Sequence, residues 1–494
     1  MFHRKGNSAS FGSRYAAASG DATVADDDHD KKSSWRRLPS SGRTLRLWMI
    51  VGISLWIFLR SLKGKILNFA SSELPIVSNN GRSGGDQFHL VFSTGCSVFQ
   101  DWQSYVFFYH VHKSGQSGKV TRIVSGCTTE QRSTLEKLHK EQIQSMSMDF
   151  MVHFTPDYTF VKPGTEFKYF NKPFGMKHWM EHALGYDPKS QSTSTKYDDT
   201  IIILLDPDQM LLKPFVSDYS KLRMDWTPQE GGASNVTAIP KIVQRGTQIS
   251  QQYGFGRNWL SRMNISYILG PTVHPNDSPL STMKLTSANR YAPGPPYMAV
   301  GRDMYSIVKK WTEFAPRVHD CDDSILAEMY AYSLASVQVH LQPWTARGFM
   351  VSNTLDGYEG WYLIDEMEES KICIPPDKSP SRESSMPFVI HYCQFQTLGD
   401  HQFLKYLVPK DFMSCQGQLL KEPTKEILKS NKGINLETQK YFEFRSKKRR
   451  KREAWMLCSL LPALNEAMEH FKHNQCGKEA NFNKVAVAGV EVEK

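Results

Sequence analysis

The chain lacks the signatures of several common function classes. Its eight cysteines include no Cys-x-x-Cys pair, which excludes a zinc ribbon and a thioredoxin-like motif. No internal repeat is visible, so a solenoid is not expected. The formal charge of +10 gathers before residue 47 and in the run Lys447–Arg452. The middle is close to balanced, and a nucleic-acid-binding core is not expected. Long apolar stretches are scarce. Leu47–Leu59, between Arg46 and Arg60, is the one candidate for crossing a bilayer.

At 1.5 Å per residue that stretch covers about 20 Å, short of a ~30 Å hydrocarbon core. Leu45 and Leu62 extend it, and the flanking arginines can snorkel. Lys31, Lys32, Arg36, Arg37, Arg43 and Arg46 precede it, which favours a cytoplasmic N-terminus. More than forty residues stand before it, too many for an ordinary cleaved signal peptide. Residues 1–44 are expected to be a disordered cytoplasmic tail, 45–62 a signal-anchor helix and 63–86 a Ser/Asn/Gly-rich stem. All eight cysteines follow the apolar segment. A lumenal body would let them form disulfides, whose pairing the spacing does not give.

The most informative stretch is Ile201-Ile202-Ile203-Leu204-Leu205-Asp206-Pro207-Asp208. A continuous Ile/Leu run reads as a strand buried on both faces, as in parallel sheets. Ligands of open α/β sheets bind outside the carboxyl ends of such strands. Two close carboxylates there repel one another, and a hard divalent cation relieves the repulsion. A structural Asp-rich turn is the plainer alternative.

Around this strand the pattern alternates. Phe88–Ser93 reads as a strand, Asp101–His112 as a buried aromatic helix and Val120–Val124 as a second strand, which together make a βαβ unit. A strand is placed near Phe150 and a helix over Lys172–Leu184. Residues 216–296 are polar and Gly/Pro-rich, and Pro293-Gly294-Pro295-Pro296 is not expected in a helix or a central strand. Helices are expected over Met304–Phe314, from Asp322-Asp323-Ser324 to about Ser336, and over 455–471. Phe388–Ile390 reads as a short strand ending in His391. The class is α/β with a mainly parallel sheet and flanking helices. The domain spans 87–415, and 416–494 is a charged segment with a terminal helix. The basic run Lys447–Arg452 is read as a solvated helix face.

Several short pieces, in this order, resemble the plant and algal peptidyl O-glycosyltransferases, namely the hydroxyproline O-arabinosyltransferase and peptidyl-serine α-galactosyltransferase families. They are Phe88–Ser93 with Asp101-Trp102-Gln103, Thr121-Arg122-Ile123, Asn171-Lys172-Pro173-Phe174 with Trp179, and Asp206-Pro207-Asp208 with Lys213-Pro214. Gly294-Pro295-Pro296-Tyr297, Leu326–Tyr332, Phe349-Met350-Val351 and His391-Tyr392-Cys393-Gln394 follow. The resemblance covers roughly residues 86–470.

It implies a GT-A-like architecture and transfer, with retention, from a UDP-sugar to a serine or hydroxyproline hydroxyl of a secretory-pathway peptide. The signal anchor and its basic flank add the expectation of a Golgi or ER membrane protein, single-pass type II, with a lumenal body, and the balanced charge of the middle that of no nucleic-acid partner. Asp208 would hold Mn²⁺ or Mg²⁺, Asp206 would share the metal or contact the ribose, and His391 would complete the shell. Arg122 and Lys172 would add positive charge near the diphosphate, with surface ion pairs as the plain alternative. Glu328 and Glu359 are the candidate catalytic acids, Glu359 standing beside Gly360 and Trp361. A lumenal carbohydrate-binding protein with a degenerate transferase fold is the second reading. Aspartate-dependent phosphohydrolases also place Asp-x-Asp after an apolar strand, but they need Thr or Val where Met210 stands.

Overall fold

The computed structural model describes residues 87–485 apart from 190–194, 228–238, 257, 284 and 375–385. The tail, anchor and stem expected over residues 1–86 lie outside the described residues. Among the described residues no helix is long and apolar enough to cross a membrane.

The strands that build the site are β1 (Phe88–Gly95), β2 (Lys119–Ser125), β3 (Phe150–Thr155), β4 (Ile201–Leu205), β5 (Gln209–Leu211), β6 (Asp225–Trp226), β7 (Ile249–Gln252), β8 (Pro293–Val300), β9 (Trp344–Arg347), β10 (Met350–Val351) and β11 (Val389–His391). The helices used below are α1 (Val98–Ser114), α2 (Thr129–Leu138), α3 (Asn171–His182), α4 (Gly301–Cys321), α5 (Ala327–Gln338), α6 (Trp361–Asp365) and α7 (Lys447–Gln475).

One sheet of eight strands runs β3-β2-β1-β4-β8-β7-β9-β6. Its first half, β3-β2-β1-β4, is wholly parallel. From β1 the chain turns outward to β2 on one side, while β4 docks on the other. That reversal opens a crevice at the carboxyl ends of β1 and β4. The expected buried strand is β4, and all five of its residues are buried. A three-stranded sheet, β10-β11-β5, stands beside the carboxyl end of β4.

Two apolar layers cover the main sheet. On one face α1 presents Trp102, Tyr105, Val106, Phe107, Phe108 and Val111, all buried. Its middle is buried on both sides because α7 lies over it: His110 bonds to the Ala463 carbonyl at 3.0 Å and Tyr105 to His470 at 2.8 Å. Ser97 caps its start, and Gly115, at φ 72°, ends it in the left-handed conformation that glycine adopts without steric cost. On the other face α3, α4 and α5 bury Met176, Trp179, Trp311 and Tyr332 against Val91, Ile123, Ile202 and Leu204.

Three expectations are corrected. Pro293–Pro296 do lie in a central strand. Only Tyr297–Val300 of β8 pair with β4, while Pro293 and Gly294 run on past its end beside β7 across a bulge at Ser250/Gln251. The prolines lack N–H groups where β4 no longer offers acceptors, and the Pro295 carbonyl still accepts from Gln209 at 3.0 Å. The terminal helix begins at Lys447, not 455. The basic run is therefore its first turns, and Arg452 is buried, not solvated. The helix expected over Met304–Phe314 extends over Gly301–Cys321.

Disulfides join Cys96 to Cys127, Cys373 to Cys458 and Cys415 to Cys476. Cys321 and Cys393 are free thiols.

Candidate active site

The chain leaves β4 through a tight turn. Asp206 N–H donates to Gln209 Oε1 at 3.0 Å, and Gln209 N–H donates back to the Asp206 carbonyl at 3.1 Å. Pro207 stiffens the turn between them. β5 then pairs antiparallel with β11, which sets His391 opposite Gln209. This crossover between sheets brings two acids and a histidine together from positions nearly two hundred residues apart. Oxygen and nitrogen atoms of Asp206, Asp208 and His391 all lie within 4.8 Å of one another.

Two lysines complete the cluster. Lys172, in the first turn of α3, donates to Asp206 at 2.8 Å and to Glu328 at 2.6 Å. Lys405 donates to Asp208 Oδ2 at 2.5 Å, while His391 Nε2 stands 3.2 Å from Asp208 Oδ1. Asp208, His391 and Glu328 are buried, and Asp206 is partly open.

Burial alone would push the Asp208 carboxyl up. Lys405 and then His391 outweigh it and hold the group well below the ordinary carboxylate range. Burial likewise opposes the charge on Lys172, but Asp206 and then Glu328 keep its ammonium above the usual lysine range. For Glu328 burial wins over Lys172, and its carboxyl is raised. Burial opposes protonation of His391, which Cys393 and then Asp208 more than offset.

Two polar atoms of this cluster stay unsatisfied. Among the described residues Glu328 Oε2 and His391 Nδ1 are buried without a hydrogen-bond partner. An orphan of this kind costs roughly 1–3 kcal/mol, and such atoms are natural contacts for a ligand. Oxygen donors with one imidazole suit Mn²⁺ or Mg²⁺ better than a thiophilic metal. The residues present therefore fit the divalent cation expected from the sequence.

Of the seven residues singled out from the sequence, five meet here: Asp206, Asp208, His391, Lys172 and Glu328. Arg122 does not join their bonding network. Its side chain is buried and donates to Thr94 Oγ1 at 2.9 Å and Asp101 Oδ1 at 2.8 Å, tying the end of β1 to the first turn of α1. Glu359 is buried beside the end of β10. It accepts from Ser352 N–H, from Ser352 Oγ at 2.6 Å and from Asn353 N–H at 3.1 Å. Val351 pairs with Ile390, so Ser352 follows on β10 as His391 does on the neighbouring β11. Trp361 is core: it is buried, donates to the Asn353 carbonyl at 2.7 Å and packs edge-on against Trp455.

Lys405 and Tyr253 escape sequence reasoning. Lys405 sits in a short 3-10 turn after the strand His401–Phe403, with no local pattern to mark it. The Tyr253 hydroxyl is pushed well above its ordinary range by burial, then by Cys393, Glu359, Asp206 and Asp356.

No protein family model matches the chain. Among curated proteins it is similar to a peptidyl serine alpha-galactosyltransferase of Arabidopsis thaliana, 23% identical over 335 residues, 67% of this chain. It is also similar to a peptidyl serine alpha-galactosyltransferase of Chlamydomonas reinhardtii, 31% identical over 147 residues, 30% of this chain. The chain spans 33% of the plant relative's length and 16% of the algal one's. Solved structures with some likeness include the galactosyltransferase LgtC bound to donor and acceptor sugar analogs, at TM-score 0.30 and 10% identity, covering 62% of this chain and 87% of that one. The apo-form glycosyltransferase GlyE of Streptococcus pneumoniae TIGR4 also scores 0.30, at 9% identity, covering 63% of this chain and 55% of that one. At that score the architecture rests on its own topology.

Proposed function

We propose that residues 87–485 form a metal-dependent glycosyltransferase with a GT-A-like arrangement. It moves a sugar from a UDP-sugar to a serine or hydroxyproline hydroxyl of a peptide. The observation that carries this reading is the meeting of Asp206, Asp208 and His391 at the carboxyl end of β4, beside the crevice of a parallel 3-2-1-4 half-sheet. The names of the curated relatives agree with it.

Asp206, Asp208 and His391 would hold Mn²⁺ or Mg²⁺. Bound there, the cation supplies Lewis-acid neutralisation of the departing diphosphate. The protein's own groups do the rest. Lys405 keeps Asp208 ionised and places a fixed positive charge at the crevice. Lys172 does the same for Asp206 while fixing Glu328 by one oxygen. Ammonium groups held in a partly dry site need little reorganisation when negative charge grows on a leaving group. Glu328 keeps Oε2 free, a buried acceptor for a hydroxyl of the sugar or the acceptor. A cation bound here would replace the proton that Cys393 and Asp208 favour on His391, and an anionic nucleotide would offset the added charge. Retention of configuration follows the resemblance, and no nucleophile is assigned.

The three disulfides favour an oxidising compartment. With the basic flank before Leu47 they support a type II Golgi or ER protein whose body is lumenal. The purified body should turn over one or more UDP-sugars on Ser- or hydroxyproline-containing peptides and stop in excess chelator. Turnover that persists without divalent cation, or failure to bind UDP in the presence of Mn²⁺, would overturn the proposal. Protease treatment of sealed microsomes should spare the body and clip the N-terminal tail. A digested body would overturn the topology.

A further inference from the structure

The basic run at the start of α7 has no place in the metal-type cluster, yet half of it is bonded inward. Arg452 clamps Asp365 with two parallel bonds of 2.8 and 2.7 Å. Its remaining nitrogen donates to the carbonyls of Thr354 at 2.9 Å and Asp356 at 3.2 Å. The guanidinium also lies over the Trp361 ring. Glu453, the next residue, is buried and accepts from Thr354 Oγ1 at 2.7 Å and from Thr397 N–H at 3.1 Å. Lys451 donates to the carbonyl of Asp365 at 2.7 Å. One helical stretch thus grips both ends of the segment from Thr354 to Asp365. The disulfide Cys373–Cys458 staples the chain beyond that segment to the same helix.

The gripped segment comprises most of the loop 352–360 together with α6, and that loop leaves β10 alongside His391. Its inner side is fixed by Glu359 on Ser352 and Asn353 and by Gln251 on the Tyr358 carbonyl at 3.0 Å. Its outer side shows Leu355, 64% exposed, and Tyr358, 40% exposed, around Asp356. In the small sheet β10 and β5 flank β11 from opposite sides. The loop therefore stands across His391 from the crevice that Lys172 and Lys405 line. The charge at those lysines suits a diphosphate, whereas this loop offers the apolar side chains of Leu355 and Tyr358.

We infer that loop 352–360 is the wall against which the acceptor peptide lies, and that Arg452 and Glu453 are positioning residues that set it. This rests on the transferase reading above. Arg is the residue suited to the task. Its planar fork spans a carboxylate and two carbonyls at once, which a lysine ammonium does not.

The test is steady-state kinetics with separate Michaelis constants for peptide and UDP-sugar, beside calorimetric binding of UDP with Mn²⁺. Arg452→Gln should raise the peptide KM roughly 10-fold or more, as small displacements of a binding wall do, and leave the UDP-sugar KM and UDP affinity near wild type. Arg452→Lys should fall between. Because Arg452→Gln leaves Asp365 with only the exposed Lys448 as countercharge and risks unfolding, Thr354→Val serves as the second variant. It removes only the hydroxyl bonded to Glu453, and should raise the peptide KM with little change in Tm. A peptide KM unchanged in folded Thr354→Val and Arg452→Lys would overturn the inference. So would donor and peptide constants that rise together. Wild-type protein that binds no UDP and transfers no sugar would instead strike the transferase reading itself.

Discussion

The molecule holds two acidic clusters that are built on different electrostatics. Around Asp208 the acids face ammonium groups. Lys405 and His391 hold Asp208 ionised against burial, and Lys172 bridges Asp206 and Glu328. Around the 352–360 loop the acids face mostly backbone amides and hydroxyls. Burial pushes Glu359 up to about 7, with Asp356 adding to it, and burial pushes Glu453 up to about 7 as well. Full charges can hold a buried carboxylate ionised, while neutral dipoles offset only part of the desolvation cost. The first cluster is therefore suited to receive a dication. The second is suited to hold chain in place.

The largest effect should come from breaking the first cluster. Asp208→Asn should lower turnover by roughly 10³-fold, in the range for removing a positioned electrostatic contact at the reacting centre. It also leaves the half-buried Lys405 without its carboxylate partner, which should lower stability measurably. The double variant Asp208→Asn/Lys405→Met removes both charges. It should recover most of the lost Tm, measured by calorimetry, and none of the turnover. If the single variant kept wild-type turnover, Asp208 would have no metal role. If the double variant recovered no stability, the lysine would not be the countercharge described.

A smaller change sharpens the assignment of His391. His391→Ala should weaken Mn²⁺ binding about 10–100-fold, the scale seen when a metal site loses support, as read by electron paramagnetic resonance titration. Peptide binding should stay near wild type. Equal Mn²⁺ affinity in the variant would remove His391 from the shell and make Glu328, with its free Oε2, the next residue to examine.

The first cluster was largely legible in the sequence, and the second was not. Strand β4 announces itself as an unbroken apolar run because both its faces are buried, and β1 reads as a mostly apolar strand interrupted by His89. Asp206 and Asp208 follow directly, and His391 closes a short apolar strand of its own. Lys405 had no such marker, since only the tertiary fold brings it to Asp208. The second half of the sheet defied the same reasoning for a physical cause. Strand β7 carries Ser250, Gln251 and Gln252, all buried, and polarity of that kind reads as loop. Distant partners satisfy the two glutamines: Gln252 Oε1 accepts from Thr345 at 2.5 Å, and Gln251 Oε1 accepts from Met350 N–H at 3.0 Å. Pro293–Pro296 misled in the same way, because a strand may carry prolines where its neighbour has ended. The basic run Lys447–Arg452 showed its charge in the sequence but not the direction in which Arg452 points.

The smallest effect concerns the second cluster and appears only as a slope. Glu359 and Glu453 titrate near 4.5 in an unfolded chain and near 7 in the fold. Between those values the folded protein binds more protons than the unfolded one, so their contribution lowers stability as pH rises and levels off above about 7. His89 and His153 act in the other direction. Burial lowers them to about 3 and about 4, so the folded protein binds fewer protons than the unfolded one up to the ordinary histidine range. Asp208 also adds stability with rising pH, but only within and below the ordinary carboxylate range. The wild-type slope is therefore a mixture, and the informative quantity is the difference between variant and wild type. Glutamine matches a protonated carboxyl in shape. Glu359→Gln and Glu453→Gln should thus have a Tm near wild type at about pH 5 and a relative gain by about pH 8. Differential scanning fluorimetry across that range reads the effect directly. A difference that stays flat would mean that both carboxylates are already ionised at about pH 5, and the contrast between the two clusters would vanish.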